Sequence, residues 1–343
     1  MPTEKRFTTG SFTPLYKQFT DYVKSRIRSG EFRHGEALPS IHAMVIRTGI
    51  SRETVVKGYA ELCEEGVLVS RKGKGYFVKE SYFTGIQSVM VFMDKMSPHQ
   101  QDIMDGFIAT VGSKADITIR MHYQNIQWFS QALDASLDRY DWYILFPHFP
   151  LDAASRQKVD ELIHKIPPKK LIVMDHRPGG TPPEAGKCFQ SIEEDVPKAL
   201  ASVLDTIKKY KTLKYISLSV SLYGPLVAQV IQDFGEKNCI SVEVLTDIPE
   251  NISKGDLFFV SGSRLDRKLS QLLESIQETG LTPGKDIGLI CYNDFPLNQF
   301  IFGGLTTLSV DFRRMGRIAG EMILNGPLTA IQCHASLIRR NTF

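Results

Sequence analysis

The stretch SRETVVKGYAELCEEGVLVSRKGKGYFV, residues 51–78, decides the fold of the N-terminal part of this 343-residue chain. Ser51 is a residue type that caps helix N-termini, and Val55 and Leu62 follow it at helical spacing, which predicts a helix. Two short apolar runs then flank the Gly- and Lys-rich turn 71–75, which is the pattern of a β-hairpin. The stretch therefore predicts one helix followed directly by a two-stranded hairpin.

Two more helices are predicted upstream of this stretch. Leu15 and Phe19 begin an apolar stripe, and Ser40 caps a second helix that Gly49 ends. Three helices followed by a hairpin are the order of a winged helix-turn-helix, an α+β fold. The third helix of such a domain can place its first turn in the major groove, and a basic hairpin tip can lie along phosphates. We therefore expect residues 1–79 to bind double-stranded DNA, with a merely solvated tip as the alternative for the hairpin lysines.

The charge of the chain is unevenly divided. Residues 1–80 carry 14 basic and 9 acidic residues, a net of +5, whereas the remainder carries 27 basic and 29 acidic residues, a net of −2. A basic segment joined to a larger, mildly acidic one is consistent with a polyanionic partner for the first part alone.

Composition limits the class of protein and its compartment. The five cysteines are scattered and never form a C-x-x-C pair, which argues against a disulfide framework or a zinc site and favours a reducing compartment. No signal-peptide pattern follows Met1, and no apolar run approaches the roughly 18 residues of a spanning helix. We therefore expect a cytoplasmic protein with no membrane partner.

The N-terminal motifs resemble a known family. GEALPS at 35–40, SRETV at 51–55, EEGVL at 64–68 and GKGYFV at 73–78 are similar to the GntR family of bacterial transcription regulators. The resemblance covers essentially all of residues 12–79, and it implies DNA contacts from helices two and three and from the hairpin turn. The candidate DNA-binding residues are Ser40, His42, Ser51, Arg52, Thr54, Lys57, Lys72, Gly73 and Lys74.

Two departures from the family pattern affect base reading. Many members have arginine where this chain has His42, and again where it has Val56, which is followed by Lys57. Arginine is the residue that most often reads guanine, so its loss at both places leaves Arg52 as the expected principal base contact. His42 is equally consistent with a DNA contact and with a solvent-facing side chain.

Beyond a short joint at residues 80–87 the pattern changes to alternating strands and helices. The continuous apolar run 89–93 is typical of a strand buried on both faces of a parallel sheet, and similar runs recur at 171–174 and 287–291. Residues 88–343 are therefore predicted to form an α/β domain, built on one doubly wound sheet or on two smaller ones.

Ligands of such sheets bind beyond the carboxyl ends of the strands. Asp94, His148, Arg177 and Asn293 follow predicted strands, although polar residues there often serve only as turns or helix caps. His148 and His176 follow successive strands, but no matching cysteine or paired carboxylates stand at metal-ligand spacing, and no catalytic motif is present. We therefore expect no metal, no cofactor and no enzyme activity.

The C-terminal third carries a second resemblance. GLTPGKDIGLICYND at 280–294, LTTL at 305–308 and LIRRNT at 337–342 are similar to the effector domain of LacI-type repressors. This resemblance implies two lobes of the type I periplasmic-binding-protein class that close on a sugar. GntR-type heads joined to such domains occur in arabinose- and fucose-responsive regulators.

The same resemblance implies particular ligand contacts. Asn293 stands at the family's ligand aspartate, and Gln190 at the polar residue on the strand that enters the second lobe. Ser263 or Arg264 would serve where the family has an Asn-Asp step, and Arg177 would replace a family arginine that this chain lacks. The candidate ligand-binding residues are Asp94, His148, Arg177, Gln190, Ser263, Arg264, Asn293 and Asp294.

These features together predict a transcription regulator, in the first instance a repressor of a carbohydrate operon. A homodimer is expected, because symmetric copies read the two halves of an operator. A monosaccharide or a derivative would bind between the lobes. The alternatives are an effector domain that only dimerises and binds no ligand, and an enzyme that acts on sugars.

Overall fold

The protein is described by a computed structural model that covers residue 7 and residues 13–79, 86–137, 139–217, 222–261 and 267–343. The packing forms two compact units. One unit comprises the described residues up to Met90 with Ser113–Thr118 and Ala132–Tyr143, and the other comprises Val91–Gly112, Ile119–Gln131 and Ile144–Phe343. The predicted joint at 80–87 lies mostly outside the described residues, so the domain boundaries drawn from the sequence stay a prediction.

The first unit begins with three helices and a hairpin in the predicted order. These elements are α1 (Leu15–Arg28), α2 (Ile41–Thr48), α3 (Arg52–Glu64), β1 (Leu68–Arg71) and β2 (Gly75–Val78), with β1 and β2 antiparallel. Their apolar stripes enclose a core around Phe19, Val55 and Tyr59. Gly58 permits this packing, because a Cβ there would lie 2.3 Å from Cδ1 of Phe19. The predicted winged helix-turn-helix head is confirmed.

Two α/β lobes follow, each built on a six-stranded sheet. The sheet of the first lobe has the order β13-β7-β6-β5-β3-β4. Its strands are β3 (Gln87–Met93), β4 (Ala115–Met121), β5 (Trp142–Leu145), β6 (Leu171–Asp175), β7 (Gly186–Phe189) and β13 (Ala330–Gln332). Residues 89–93 of β3 and 171–174 of β6 are apolar and buried, as expected of central parallel strands.

The sheet of the second lobe has the order β14-β12-β11-β10-β8-β9. Its strands are β8 (Thr212–Ser217), β9 (Val242–Leu245), β10 (Asp256–Ser261), β11 (Gly288–Tyr292), β12 (Thr306–Ser309) and β14 (Ser336–Ile338). All neighbouring strands are parallel except β14, which runs antiparallel to β12. Of the two architectures predicted, the structure has two separate sheets.

Helices cover these sheets. They are α4 (Pro98–Val111), α5 (Ile126–Ser136), α6 (Ala153–Ile163), α7 (Ile192–Ala201), α8 (Leu204–Ile207), α9 (Gly224–Asn238), α10 (Arg267–Thr279) and α11 (Phe312–Asn325). Within the described ranges, no helix combines the length and the apolar character that crossing a membrane requires.

Helices α4 and α11 cross at backbone contact distance. A Cβ on Gly106 would lie 2.0 Å from the carbonyl oxygen of Arg313, and a Cβ on Gly316 would lie 1.8 Å from that of Ile103. Only glycine fits at both points. The crossing fixes the N-terminal turn of α4, where His99 packs on the ring of Phe312 with centroids 5.1 Å apart.

Candidate functional site

Helix α3 presents its first turn to solvent. Ser51 caps the helix, because its Oγ accepts a hydrogen bond from the Thr54 backbone N–H at 3.2 Å, and the two hydroxyl oxygens lie 3.0 Å apart. Arg52 is exposed, and so is Lys57, whose Nζ lies 4.1 Å from the centre of the Tyr16 ring. Ser51 and Thr54 therefore shape the helix end, while Arg52 offers its guanidinium to solvent.

Helix α2 is capped in the same way. The Oγ of Ser40 accepts a hydrogen bond from the Ala43 backbone N–H at 3.2 Å, and His42 on the first turn is exposed. The cap accounts for Ser40 structurally, and His42 is placed where a partner could reach it.

The hairpin turn forms a basic tip. Lys72, Gly73 and Lys74 are all exposed, and the Lys74 N–H donates to the Arg71 carbonyl at 2.9 Å to close the turn. Gly73 has φ +72, a conformation that side-chain-bearing residues rarely adopt. The turn thus holds two ammonium groups clear of the core, where they can meet phosphates.

Between the two lobes lies a cavity of about 90 Å³, which has room for several water molecules. Four of the predicted ligand residues line it: Asp94, His148, Gln190 and Asn293. The other lining residues are Lys95, His99, Gln124, Asp175, His176, Ile192, Leu222, Tyr223, Val227, Ser261 and Tyr292. The lining is polar, with aromatic rings among the hydrogen-bonding groups, as sites for polar small molecules are.

His148 lies between two carboxylates at the centre of this cavity. Its Nδ1 is 2.9 Å from Asp94 Oδ1, and its Nε2 is 2.9 Å from Asp175 Oδ2. All three side chains are buried. Burial alone would lower the pKa of His148, but the adjacent Asp175 and Asp94 raise it to about 9. Burial likewise opposes ionisation of Asp175, yet His176 and His148 hold the pKa of that carboxyl well below its usual range.

Two further histidines beside this group are neutral. Burial lowers the pKa of His99 and that of His176 to about 4 each. Nε2 of His99 lies 3.9 Å from Asp175 Oδ2, and Nε2 of His176 lies 3.9 Å from Asp175 Oδ1. The ring of His176 also stacks on Tyr223 at a centroid distance of 3.8 Å. The ring stack fixes the orientation of the His176 imidazole.

Hydrogen bonds from two glutamines hold the carboxylates in place, and one of the two glutamines also contacts the second lobe. Gln100, on the first turn of α4, donates from Nε2 to Asp94 Oδ1 at 2.6 Å. Gln190 donates from Nε2 to Asp175 Oδ1 at 2.5 Å, and its Oε1 accepts from the Tyr292 hydroxyl at 3.2 Å. The first lobe is thus hydrogen-bonded to β11 of the second lobe through Gln190.

Two polar atoms that line the cavity have no hydrogen-bond partner among the described residues. They are His148 Nε2, which approaches Asp175 outside hydrogen-bonding geometry, and Asn293 Oδ1. An unsatisfied buried polar atom costs about 1–3 kcal/mol, so each is poised to gain from a bound group.

Backbone strain is stored at equivalent places in the two lobes. Asp175 at the end of β6 has φ +68, and Asn293 directly after β11 has φ +71. A residue other than glycine in the left-handed region costs on the order of 1–3 kcal/mol and clusters at functional sites. This strain directs both side chains into the same cavity.

The remaining predicted ligand residues lie elsewhere. Asp294 forms a two-point ion pair with Arg340, at 2.9 and 2.7 Å, and does not line the cavity. Arg177 lies on a neighbouring groove, 4.8 Å from the centre of the Phe189 ring. Ser263 and Arg264 lie outside the described residues.

Several cavity residues were not selected from the sequence. Asp175 and His176 stand at the end of a predicted strand beside Arg177, so the strand-end rule could have included them. His99 and Tyr223 could not be found that way, because one lies on the first turn of α4 and the other directly before α9. Both residues lie at a helix N-terminus. That position indicates a place in the cavity only when the positions of the helices in the two lobes are known.

Residues 15–78 match the family described as "Bacterial regulatory proteins, gntR family". The repressor of the mannosyl-D-glycerate transport/metabolism system, MngR of Escherichia coli, is 36% identical over 90 residues, which are 26% of this chain and 38% of that protein. The repressor NagR of Bacillus subtilis is 34% identical over 84 residues, 24% of this chain and 35% of that protein. The chain therefore matches little more than a third of the length of these relatives. This N-terminal segment is a GntR-type head.

Solved structures resemble the chain beyond the head. The lac repressor bound to ONPG in its repressed state superposes with a TM-score of 0.60 at 16% identity, covering 96% of this chain and 98% of that one. The trehalose repressor from Escherichia coli gives a TM-score of 0.58 at 12% identity, covering 74% of this chain and 99% of that one. The two lobes thus have the fold of LacI-type repressors, as predicted.

Proposed function

We propose that this chain is a transcription regulator that binds operator DNA through its head and a monosaccharide or a derivative between its lobes. The observation that carries the ligand half is the cavity itself. Two buried polar atoms that have no partner in the described part of the chain, His148 Nε2 and Asn293 Oδ1, line it, and Asp175 and Asn293 are held in strained conformations there. A ligand rich in hydroxyl groups can donate to and accept from such atoms, and Tyr223 lines the same cavity.

The DNA half rests on the head. An exposed Arg52 at the start of α3 and an exposed pair of lysines at the hairpin tip are what base reading and phosphate contact require. The relatives that match the head are named as repressors, which supports repression as the direction of control. A homodimer in the cytoplasm is part of the proposal, because two-fold operators are read by two symmetric heads.

Regulation then follows from linkage. A sugar that binds one arrangement of the lobes more tightly than the other shifts their equilibrium by that difference in affinity. The reciprocal effect is obligatory: operator DNA must change the affinity for the sugar by the same factor.

The ligand half is tested by a thermal-shift screen of the full chain against neutral monosaccharides, acidic sugars and sugar phosphates. A true effector raises the melting temperature as its concentration rises. At a hundredfold excess over Kd it adds about 2.7 kcal/mol to the free energy of unfolding. The Asn293→Ala variant should lose this shift, whereas Asp294→Ala, whose side chain is paired with Arg340 and lies off the cavity, should keep it. If no compound of the panel raises the melting temperature of the wild type, the outcome favours the alternative in which the effector domain is a dimerisation scaffold without a ligand.

The DNA half is tested by selection of bound sequences from a random library, followed by affinity measurement on the selected operator. The Arg52→Ala variant should lose about 1–3 kcal/mol of discrimination at one base position, while Arg33→Ala, an exposed arginine outside α2, α3 and the hairpin, should not. Retained specificity in Arg52→Ala would remove Arg52 from its assigned role.

A further inference from the structure

We propose that the interlobe cavity binds a divalent transition-metal ion of the zinc class, coordinated by His148 Nε2, the Asp175 carboxylate and the His176 imidazole. The inference deepens the proposed function, on which its regulatory meaning rests, because the ion would become part of the ligand site.

The ligand atoms are already close enough to share one ion. One donor atom from each of these three residues lies within 4.8 Å of the other two. In a tetrahedral zinc site with bonds of about 2.0–2.2 Å, neighbouring ligand atoms stand about 3.4 Å apart. Nε2 of His148 is 2.9 Å from one Asp175 oxygen, and Nε2 of His176 is 3.9 Å from the other. Small side-chain rotations therefore convert the observed arrangement into a coordination shell.

Nε2 of His148 approaches Asp175 closely without a well-aligned hydrogen bond. Nδ1 of His148 is engaged by Asp94 at 2.9 Å, which leaves Nε2 as the atom that faces Asp175. Among the described residues Nε2 has no hydrogen-bond partner, although the carboxylate oxygen lies 2.9 Å away. The two groups therefore attract each other as an ion pair and not through an aligned N–H donor. Loss of the Nε2 proton frees a lone pair beside the carboxylate, and one metal ion can bind both atoms.

The surroundings are those that metal-bound histidines require. A ligating histidine commonly donates its second N–H to a carboxylate, which fixes its tautomer. Asp94 stands in that place for His148 and is itself held by Gln100 Nε2 at 2.6 Å. The ring of His176 is fixed by stacking on Tyr223. Both imidazoles are thus oriented by neighbours that do not themselves coordinate the ion.

The charge of the cavity also favours a cation. Asp94 and Asp175 are both buried, with exposures of 2% and 1%, and a buried carboxylate is stable only when paired. Nζ of Lys95 lies 4.0 Å from Asp94 Oδ2, and His148 lies between the two carboxylates. A divalent ion that displaces the Nε2 proton of His148 keeps positive charge beside Asp175.

Three protein ligands leave one position of a tetrahedral ion open, as in zinc sites that bind water or a substrate. The three ligand residues line the cavity, and so does Asn293, whose Oδ1 has no hydrogen-bond partner among the described residues. A hydroxyl of the sugar could then bind the ion while a neighbouring hydroxyl donates to Asn293.

The test uses the full chain, treated with a chelator, dialysed, and titrated calorimetrically with ZnCl₂ alone. One ion should bind per chain, and His176→Gln should weaken the affinity by on the order of a hundredfold or more. The matched control is His334→Gln, because the exposed His334 lies outside the cavity, where its Nδ1 is 2.9 Å from Oδ1 of the buried Asp195. Circular dichroism melts establish that each variant is folded.

CoCl₂ in place of zinc gives a second readout. Visible absorption typical of a four-coordinate His and carboxylate site should appear in the wild type and in His334→Gln, and be absent in His176→Gln. Equal zinc affinity in wild type and His176→Gln, or loss of binding in His334→Gln only, overturns the proposal.

The sugar screen, repeated with the chelated and the zinc-loaded chain, separates this inference from the proposed function. A sugar that binds the chelated chain, with no zinc binding found, leaves the regulator intact and refutes the metal site. Zinc binding without any sugar or operator binding supports the metal site and refutes the regulator.

Discussion

Replacement of Gly316 by alanine should loosen the crossing of α4 and α11 and weaken the effector domain. The added Cβ would lie 1.8 Å from the carbonyl oxygen of Ile103 and 2.7 Å from the backbone nitrogen of Phe107. Real contacts of this kind essentially never fall below 3.0 Å, so the helices must separate by about 1.2 Å. The atoms in the way belong to the backbone, so no rotamer change relieves the contact.

The magnitude follows from two opposing effects. Overpacking a tight interior costs about 1–3 kcal/mol, and a contact with rigid backbone belongs at the upper end. Alanine in place of glycine inside a helix stabilises the helix by about 1 kcal/mol. The expected net loss is about 2 kcal/mol, which lowers the melting temperature of a unit of this size by roughly 4–8 °C. Because α4 carries Gln100, which holds Asp94, affinity for ligands of the cavity should fall as well.

Two controls lie on the same helix. Gly320→Ala would bring its Cβ to 2.8 Å from Cβ and Cγ2 of Thr110, a much smaller overlap than the 1.8 Å at Gly316, so it should destabilise less than Gly316→Ala. Arg317→Ala changes an exposed residue and should leave the melting temperature within about 1 °C of the wild type. Calorimetric melts of the three variants give the comparison. A Gly316→Ala protein as stable as the Arg317→Ala protein would refute the close backbone contact.

Three further predictions concern other parts of the chain. Replacing both Lys72 and Lys74 with alanine should reduce the slope of log affinity against log salt concentration for non-specific DNA by about 1.8. Filter binding at several salt concentrations measures this slope. An unchanged slope would place both lysines away from phosphates. Gly58→Ala should destabilise the head by about 1–2 kcal/mol, because the new Cβ would lie 2.3 Å from the buried ring of Phe19. A melting temperature equal to that of the wild type would contradict this packing. Burial lowers the pKa of His122 from 6.5 to about 4. Between pH 7 and pH 5 the unfolded chain therefore binds a proton at this histidine that the folded chain does not, and the free energy of unfolding falls by about 2 kcal/mol. Urea unfolding of His122→Gln should lack this part of the decline, and equal declines in the variant and the wild type would contradict the prediction.

Strands with continuous apolar sequences could be predicted, and strands made of polar residues could not. β3, β6, β10 and β11 follow from their composition alone, because a strand buried on both faces must be apolar. β12, in contrast, is Thr306–Ser309, and it is fully or almost fully buried because its polar groups find partners from the C-terminal residues. The Thr306 backbone N–H donates to the Thr342 hydroxyl at 2.8 Å, a partner 36 residues away that no local pattern reveals.

A buried charge obscured β7 in a similar way. This strand contains Lys187, which is 5% exposed. Its Nζ donates to the carbonyl oxygens of Pro182, Pro183 and Ala185 at 2.7, 2.9 and 3.1 Å. These bonds compensate the ammonium group, and they form only after the loop before the strand has folded back on it. Sequence patterns assign such a lysine to the surface, because lysines are almost never fully buried unless paired.

The candidate site divides along the same line. Asp94, His148 and Asn293 could be named because position after a strand is a local property, and parallel sheets bring such positions to one edge. Their assembly with Asp175 into one set of metal ligands could not be predicted, because His148 and Asp175 are distant in sequence and become neighbours only through the strand order β6-β5-β3. The absence of paired ligands at short spacing along the chain therefore excluded local metal motifs only.

A series of hydrogen bonds and one ion pair links these groups across the cavity. Tyr292 on β11 donates to Gln190, Gln190 donates to Asp175, and the Asp175 carboxylate faces His148, which is held by Asp94. A ligand or ion that binds Asp175 changes the charge at the middle of this series of contacts. The Gln190–Tyr292 hydrogen bond couples Asp175 to the second lobe. Since Asp175 is also held in the left-handed region of backbone space, its position depends on those same partners. Asp175 is thus the residue through which occupation of the cavity can bias the arrangement of both lobes.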